Sequence, residues 1–134
     1  MFFIKINIKG YLKNITENTQ ELIDTQSIKK DNKISYIIDN TKYILIIENN
    51  KVTLLRENNE FSNGIIFIEN STTTSEYYLK ESSYSLEFNI ETTKLIINKN
   101  KIDITYKVIE SENIYNYVLE MSDSIWVLNK KYNV

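Results

Sequence analysis

The fold is decided by two segments whose side chains alternate strictly between apolar and polar, SLEFNIET at 85–92 and KIDITYKVI at 101–109. In each segment the apolar side chains fall on one face of an extended chain, and the charged and amide side chains fall on the other. A period of two is what a strand with one buried and one solvated face requires. The segments, joined through residues 94–100, therefore predict two strands of an antiparallel sheet. Each carries a hydroxyl in its inner row, on Thr92 and Tyr106.

The composition favours strands along the rest of the chain. Ile, Thr, Tyr and Val are abundant, while Ala and Pro are absent and only two Gly occur. β-branched and aromatic side chains suit a pleated surface and lose rotamer freedom in helices. A chain of 134 residues is long enough for one hydrophobic core and too short for two. We therefore expect a single all-β domain over residues 1–134.

Turn residues interrupt the chain roughly every 8 to 12 residues, which is the spacing of strands in a sandwich or barrel. The Asp31-Asn32, Asp39-Asn40 and Asn49-Asn50 pairs are turn signals, because Asp and Asn tolerate left-handed backbone. Asn63-Gly64 predicts a hairpin turn, a loop or a bulge. Besides the opening pair, the predicted strands are 2–12, 21–30, 34–38, 43–48, 51–57 and 115–121, and 65–68 with 72–79 predict one or two more. Residues 122–134, with the only Trp, predict an extra C-terminal strand or tail.

Topology favours a barrel over a sandwich. Short connections make consecutive strands pair with each other. A meander of about eight strands that closes on itself leaves no exposed sheet edge. The chain has no Pro with which to protect an open edge. We therefore expect a single antiparallel up-and-down β-barrel of about eight strands.

Charge and residue types exclude several functions. The formal net charge is -2 and the Lys residues are scattered, which disfavours nucleic acid as a partner. No run approaches the roughly 18 apolar residues of a membrane span, and Lys5 interrupts the apolar start before a signal peptide could form. Without Cys, the chain fits a reducing compartment. We expect a cytoplasmic protein that binds neither membrane nor nucleic acid.

Catalysis is not expected. His and Cys are both absent, so the usual general base, metal ligand and thiol nucleophile are missing. Paired carboxylates could act as acid and base, for example Glu87 with Glu91 or Asp103 with Glu120. Strand parity, however, places Glu87, Glu91 and Asp103 on the outer face. We expect no enzyme activity, no cofactor and no metal.

Several segments together resemble one family. These are Leu86–Thr92 followed by Ile102–Tyr106, Lys51–Arg56, Thr74–Tyr78 and Ile34–Tyr36. In order and spacing they resemble the YwiB-like family of uncharacterised bacterial proteins, whose small barrels are related in fold to the calycins. The resemblance covers residues 4–121. It implies a calycin-like, or lipocalin-like, barrel and no established activity.

One candidate site follows from parity. Val52, Leu54 and Arg56 share a face, so Arg56 points inward if the other two do. The resemblance implies that such a group near one barrel end can anchor the carboxylate or phosphate of an apolar ligand. The candidate lining is Tyr36, Tyr78, Thr92 and Tyr106. The alternative is a filled barrel whose end Arg56 caps, bonded to Tyr, Thr and backbone carbonyls, because an inward Arg needs partners.

An interaction role is a third interpretation. Tyr43–Ile47 is apolar on both faces, whereas a barrel wall buries only one. The other face would be covered by the tail around Trp126 and Val127, or by a second subunit in a homodimer, or would remain as an exposed contact surface.

Overall fold

The computed structural model describes residues 3–122, which form a closed barrel of ten antiparallel strands. Within this range no helix has the length and apolar character needed to cross a membrane. The strands are β1 Ile4–Asn14, β2 Thr19–Lys30, β3 Lys33–Ile38, β4 Thr41–Glu48, β5 Lys51–Glu57, β6 Phe61–Ile68, β7 Ser71–Leu79, β8 Tyr84–Ile97, β9 Lys101–Val108 and β10 Asn113–Met121.

Every strand pairs with its neighbours in the chain, and β1 closes the barrel against β10. The closing pair runs in register from Ile8 opposite Met121 to Asn14 opposite Tyr115. The prediction of an all-β, antiparallel, up-and-down barrel is confirmed. The predicted count of about eight strands is wrong, because the barrel has ten. Connections as short as 31–32, 39–40, 49–50 and 69–70 leave most of the described residues in strands.

The short turns use Asn and Asp in left-handed backbone. Asp31, Asp39, Asn40, Asn50 and Asn70 all have φ between 50° and 64°. Their short polar side chains make this conformation less costly than it is for bulkier residues. Neither glycine of the described chain has positive φ.

The predicted turn or loop at Asn63-Gly64 is wrong, and the paired register of β6 with β7 runs only to Gly64 opposite Glu76. Both residues lie inside β6, where Asn63 pairs with Arg56 and Gly64 pairs with Leu55. The chain turns earlier, where Asn58 Oδ1 accepts hydrogen bonds from the backbone N–H groups of Glu60 and Phe61. Because the strand starts at Phe61, the Asn63 side chain shares the inner face with Ile65 and Phe67.

The two opening segments pair as predicted, and the first is longer than expected. β8 continues to Ile97, with a register shift between Thr92 and Lys94. Such a bulge inserts one residue and resets which side chains face inward. Leu95 and Ile97 consequently pack against the core beyond the bulge.

Apolar side chains fill the middle of the barrel. The largest side chains that solvent cannot reach come from β1, β3, β4, β5, β6, β8, β9 and β10, and they are Phe67, Ile8, Ile34, Leu45, Ile102, Ile104, Leu119, Val52 and Thr92. This packed layer separates the two ends of the barrel. At the end where β1, β3, β5, β7 and β9 finish, polar and aromatic side chains replace the aliphatic ones, and we call this end the mouth.

The outer wall keeps some apolar side chains exposed. Ile44 is half-buried on the outer face, and its cross-strand neighbour Leu55 is 40% exposed. Ile28 lies in the same outer row and is also exposed. The predicted cover, the tail around Trp126 and Val127, lies outside the described residues, as does the rest of the predicted C-terminal strand or tail beyond residue 122.

Candidate functional site

Strand pairing aligns a row of polar and aromatic side chains across the mouth. Tyr36 on β3 lies opposite Tyr43, Tyr43 lies opposite Arg56, and Arg56 lies opposite Asn63. The row continues to Tyr77 on β7. Since register partners on one face point the same way, these five side chains stand at one level of the barrel interior.

Arg56 is held by Asn63. The Nε–H and an Nη2–H of Arg56 both donate to Asn63 Oδ1, at 3.1 and 2.7 Å. The Asn63 Nδ2 group donates to Ser75 Oγ at 3.1 Å and to the Glu76 carbonyl at 2.8 Å. Ser75 Oγ in turn donates to the Gly64 carbonyl at 2.7 Å. Asn63 and Ser75 are buried, so this network fixes the guanidinium through fully engaged neutral groups.

The other edge of the guanidinium remains available. Arg56 Cζ lies 5.6 Å from the centre of the Phe61 ring, which is within cation–π range. Among residues 3–122, the ion pairs are Lys51–Glu48, Lys80–Glu57 and Lys94–Asp103, and none of them includes Arg56. An arginine has five N–H donors, and Asn63 engages only those on the Nε side. The Nη1 side therefore presents a cation at the mouth that no described carboxylate neutralises.

Tyrosines form the wall on one side of Arg56. The rings of Tyr36 and Tyr43 stack with centroids 4.6 Å apart, and the Tyr36 and Tyr117 hydroxyls are hydrogen-bonded to each other. Burial raises the pKa of Tyr36 and of Tyr117 above the ordinary tyrosine value. Burial also raises the pKa of Tyr43, while the nearby Arg56 acts in the opposite direction. These phenols stay neutral and serve as hydrogen-bonding groups.

Tyr106 stands beneath Arg56 with its hydroxyl unengaged. Its ring stacks on Tyr115 with centroids 5.2 Å apart, and tilts against Phe67 at 4.9 Å. The residue is only 6% exposed, and its hydroxyl makes no side-chain hydrogen bond within the described part of the chain. Burial raises the pKa of Tyr106. The mouth thus offers a second unused donor, which is neutral.

Two cavities meet at Arg56, Tyr106, Ile65 and Leu12, which line both. One cavity of about 440 Å³, the tyrosine cavity, is bounded by Tyr36, Tyr43, Tyr117 and aliphatic side chains. The other, also about 440 Å³, the asparagine cavity, is bounded by Asn63, Ser75, Tyr77, Phe88 and Ile90. Volumes of this size are typical of sites for small organic molecules.

Carboxylates stand at the rim of both cavities. Glu21 and Asp39 line the tyrosine cavity, and Glu110 lines the asparagine cavity. Glu21 raises the pKa of Tyr36, Tyr43 and Tyr106 as a secondary influence after burial, so its charge acts across the site. Hydrogen bonds, first of all from the Asn89 backbone N–H, lower the pKa of Glu110 and keep it ionised.

The structure brings together three of the five side chains proposed from sequence. Arg56, Tyr36 and Tyr106 all line the tyrosine cavity. Tyr78 does not join them. The inner face of β7 carries Ser75 and Tyr77, so the alternating side chains of Glu76 and Tyr78 lie on the outer face. Thr92 lies below the cavities, is fully buried, and has an Oγ1 without a hydrogen-bond partner.

Asn63, Ser75, Tyr43 and Tyr117 were not predicted as site residues. Asn63 alternates in phase with Ile65 and Phe67, which would predict that it faces inward. Interpreting Asn63-Gly64 as a turn, loop or bulge prevents that prediction. Tyr117 alternates in phase with Leu119 and Met121, which predicts that it faces inward. This pattern does not predict its contact with Tyr36 across the barrel. The alternative interpretation gave Arg56 the wrong partners, Tyr, Thr and backbone carbonyls, because its hydrogen-bond acceptor is Asn63 Oδ1.

The buried phenols predict a loss of stability in alkali. Below about pH 10 the folded and unfolded chains both hold these protons. Above it the unfolded chain releases them, while the raised pKa of Tyr36, Tyr106 and Tyr117 makes the folded chain retain them. The free energy of unfolding should therefore fall by about 1.4 kcal/mol per pH unit for each such group.

Urea unfolding at a series of pH values from about 9 to 11.5 measures this slope, starting just below the ordinary tyrosine pKa. Tyr117→Phe should make the slope shallower by one proton. A stability that stays level across this range would contradict the burial of these phenols.

The mouth combines charged, polar, aromatic and apolar groups. It presents a cation, a neutral phenol donor and aromatic faces around apolar walls, and within residues 3–122 no group of three or more potential His, Cys, Asp or Glu ligands is placed to hold a metal ion. Groups of these types can hydrogen-bond to a small molecule and stack against it.

Comparison with known proteins supports the fold. No protein-family model matches the chain, and no curated protein matches it. The structure is similar to the crystal structure of the YwiB protein from Bacillus subtilis, with a TM-score of 0.63, 20% sequence identity and 90% of each chain covered. At this level of identity the similarity shows a shared fold, as the resemblance in the sequence implied.

Proposed function

We propose that this protein is a non-enzymatic binder of a small amphipathic anion, which Arg56 anchors at the mouth of the barrel. The observation that supports this most strongly is the position of the guanidinium. It borders two cavities, it is held on one edge by the neutral Asn63, and it has no ion-pair partner among the described residues. A cation placed in this way attracts an anionic ligand.

The physical reason lies in the cost of keeping an arginine half-buried. Removing a charge from water is unfavourable unless hydrogen bonds or an opposite charge compensate. Asn63 supplies only part of this compensation, since it is neutral and engages one edge. An oxyanion on the other edge would complete it with charge-assisted hydrogen bonds, which are among the stronger ones in proteins.

The packed middle of the barrel limits where the ligand lies. Phe67 and the other fully buried side chains pack the barrel below Tyr106. The apolar body of the ligand would therefore rest in the mouth, between Leu12, Ile65 and the tyrosines. We further propose a calycin-like mode of binding inside one barrel end, in a protein of the cytoplasm, for which the absence of Cys is suited.

Titration with octanoate, followed by amide chemical shifts in NMR, tests this function. We expect saturable shifts concentrated at Tyr36, Tyr43, Asn63 and Tyr106. Arg56→Gln should weaken binding by about 10- to 100-fold, because charge-assisted hydrogen bonds contribute about 1.5 to 3 kcal/mol. Lys5→Gln removes one positive charge from the exposed outer face of β1 and should leave the affinity unchanged. Equal binding by Arg56→Gln and the unmodified chain would contradict the proposal.

The second candidate is self-association through the outer wall, favoured by the apolar row of Ile28, Ile44 and Leu55. Light scattering during size-exclusion chromatography should then give a dimer for the full chain. Leu55→Lys should shift it to monomer, while Ile96→Lys, at a comparably exposed position on β8, should not. A monomer for the unmodified chain would exclude this candidate.

A further inference from the structure

We infer that the ligand of this site is a zwitterion, an amine-bearing carboxylic acid with an apolar side chain. This inference rests on the proposed function and adds the charge pattern of the ligand. In this arrangement the carboxylate binds Arg56, the ammonium group lies in the tyrosine cavity, and the apolar side chain occupies the asparagine cavity.

The anionic end is specified by two donors that no described residue uses. Asn63 takes up the Nε edge of Arg56, which leaves the Nη1 edge with parallel N–H groups. Such an edge matches the two oxygens of a carboxylate. Tyr106 is 6% exposed and lines the same cavities. Its hydroxyl makes no side-chain hydrogen bond with a described residue. An oxyanion at Arg56 would give this hydroxyl an acceptor.

The cationic end is specified by the tyrosine cavity. Glu21 and Asp39 line this cavity. Both carboxylates raise the pKa of Tyr43, although burial contributes more to that shift. The stacked rings of Tyr36 and Tyr43 add aromatic surface, and tyrosine faces attract ammonium groups. A simple fatty acid would leave these features without a partner.

The charge balance also disfavours a doubly charged anion. The tyrosine cavity is lined by one cation, Arg56, and two carboxylates, and the asparagine cavity adds Glu110 to the same cation. Each lining therefore carries no excess of positive charge. A phosphate monoester would gain one ion pair and meet repulsion from the rim.

The apolar side chain of the ligand fits the asparagine cavity. Phe88, Ile90 and Val108 line this cavity next to Tyr77 and Tyr115. Its volume of about 440 Å³ suits a side chain of the size of a phenyl ring with room for solvent at the rim.

Four probes that share a phenyl group separate these contributions: L-phenylalanine, 3-phenylpropanoate, 2-phenylethylamine and phenyl phosphate. Isothermal titration or NMR titration of the full chain gives their dissociation constants. We expect phenylalanine to bind about fivefold more tightly than 3-phenylpropanoate, a modest ratio because the rim carboxylates are solvent-exposed and screened. The amine and the phosphate should bind more weakly than phenylalanine.

Charge-neutral variants assign the preference to particular residues. Glu21→Gln combined with Asp39→Asn should reduce the ratio between phenylalanine and 3-phenylpropanoate to about one. Glu91→Gln removes an exposed carboxylate from the outer face of β8 and should leave the ratio unchanged. Because all three positions are exposed, each variant is expected to fold.

The outcomes distinguish this inference from the proposed function. If 3-phenylpropanoate or phenyl phosphate binds as tightly as phenylalanine, the zwitterion is excluded while an anion site at Arg56 stands. If the rim variants leave the ratio at its original value, Glu21 and Asp39 do not recognise the ammonium group and the inference fails. If octanoate and all four probes fail to saturate the site, the proposed function fails as well.

Discussion

Replacing Gly10 with alanine should lower the free energy of unfolding by roughly 3 kcal/mol or more, at the upper end of what overpacking costs. Gly10 lies in β1, between Ile23 of β2 and Leu119 of β10. A Cβ at this position would stand 1.8 Å from the Val118 carbonyl oxygen and 2.8 Å from its carbonyl carbon. Both atoms belong to the backbone, so no side-chain rotation can relieve the contact.

The loss is large because of where the contact occurs. β1 and β10 form the pair that closes the barrel, and separating them would expose two sheet edges at once. Urea denaturation followed by circular dichroism measures the change. If Gly10→Ala does not fold, its expression level and solubility are compared with those of the wild-type chain under the same conditions. A strong loss of soluble protein is then the expected result.

Gly64→Ala is the matched control. Gly64 also lies inside a strand, but its nearest neighbour to an added Cβ is Leu55 Cδ2 at 3.4 Å, the end of a flexible and partly exposed side chain. We expect a change within about 1 kcal/mol, since glycine in a strand is itself slightly unfavourable. Equal losses in both variants would show that backbone approach at the closing pair is not the cause.

Phe67→Ala should cost about 3 to 5 kcal/mol, the range for truncating a large buried aromatic side chain. Phe67 is fully buried in the middle of the barrel and packs against Tyr106. Its removal opens space directly beneath the mouth, because the neighbouring strands are held by hydrogen bonds on both sides and cannot collapse into it. Thermal and urea unfolding measure the loss.

Two further measurements distinguish the loss of core packing from a general sensitivity of the protein's stability to truncation of apolar side chains. Leu22→Ala removes an apolar side chain that is 74% exposed and should change stability by less than about 0.5 kcal/mol. In Phe67→Ala the Tyr106 ring loses its tilted neighbour, so octanoate binding should weaken together with stability. A Phe67→Ala loss no greater than that of Leu22→Ala would contradict a filled barrel centre.

For most residues of the site, the alternation of side chains along a strand predicts whether the side chain faces inward. It does not predict contacts between side chains of different strands. Arg56 was placed inside from Val52 and Leu54, because side-chain direction alternates along one strand. Tyr78 was placed inside although Tyr77 is the inward residue, since Thr74–Tyr78 has no apolar row from which to read the inner face. Thr92 was correctly placed inside and wrongly placed at the mouth, because parity gives the face and not the height.

Local patterns in the amino-acid sequence are enough to predict that the chain is all-β, which side chains of the clearly alternating strands face inward, and where Asn and Asp make tight turns. These are local properties, set by alternation over a few residues and by backbone preferences at single positions. Four features follow only from the assembled barrel: the number of strands, the hydrogen bonds between Arg56 and Asn63, the contact between Tyr36 and Tyr117, and the need for glycine at Gly10. Each of these depends on the register between strands, which accumulates from every turn length and bulge around the barrel until β1 meets β10.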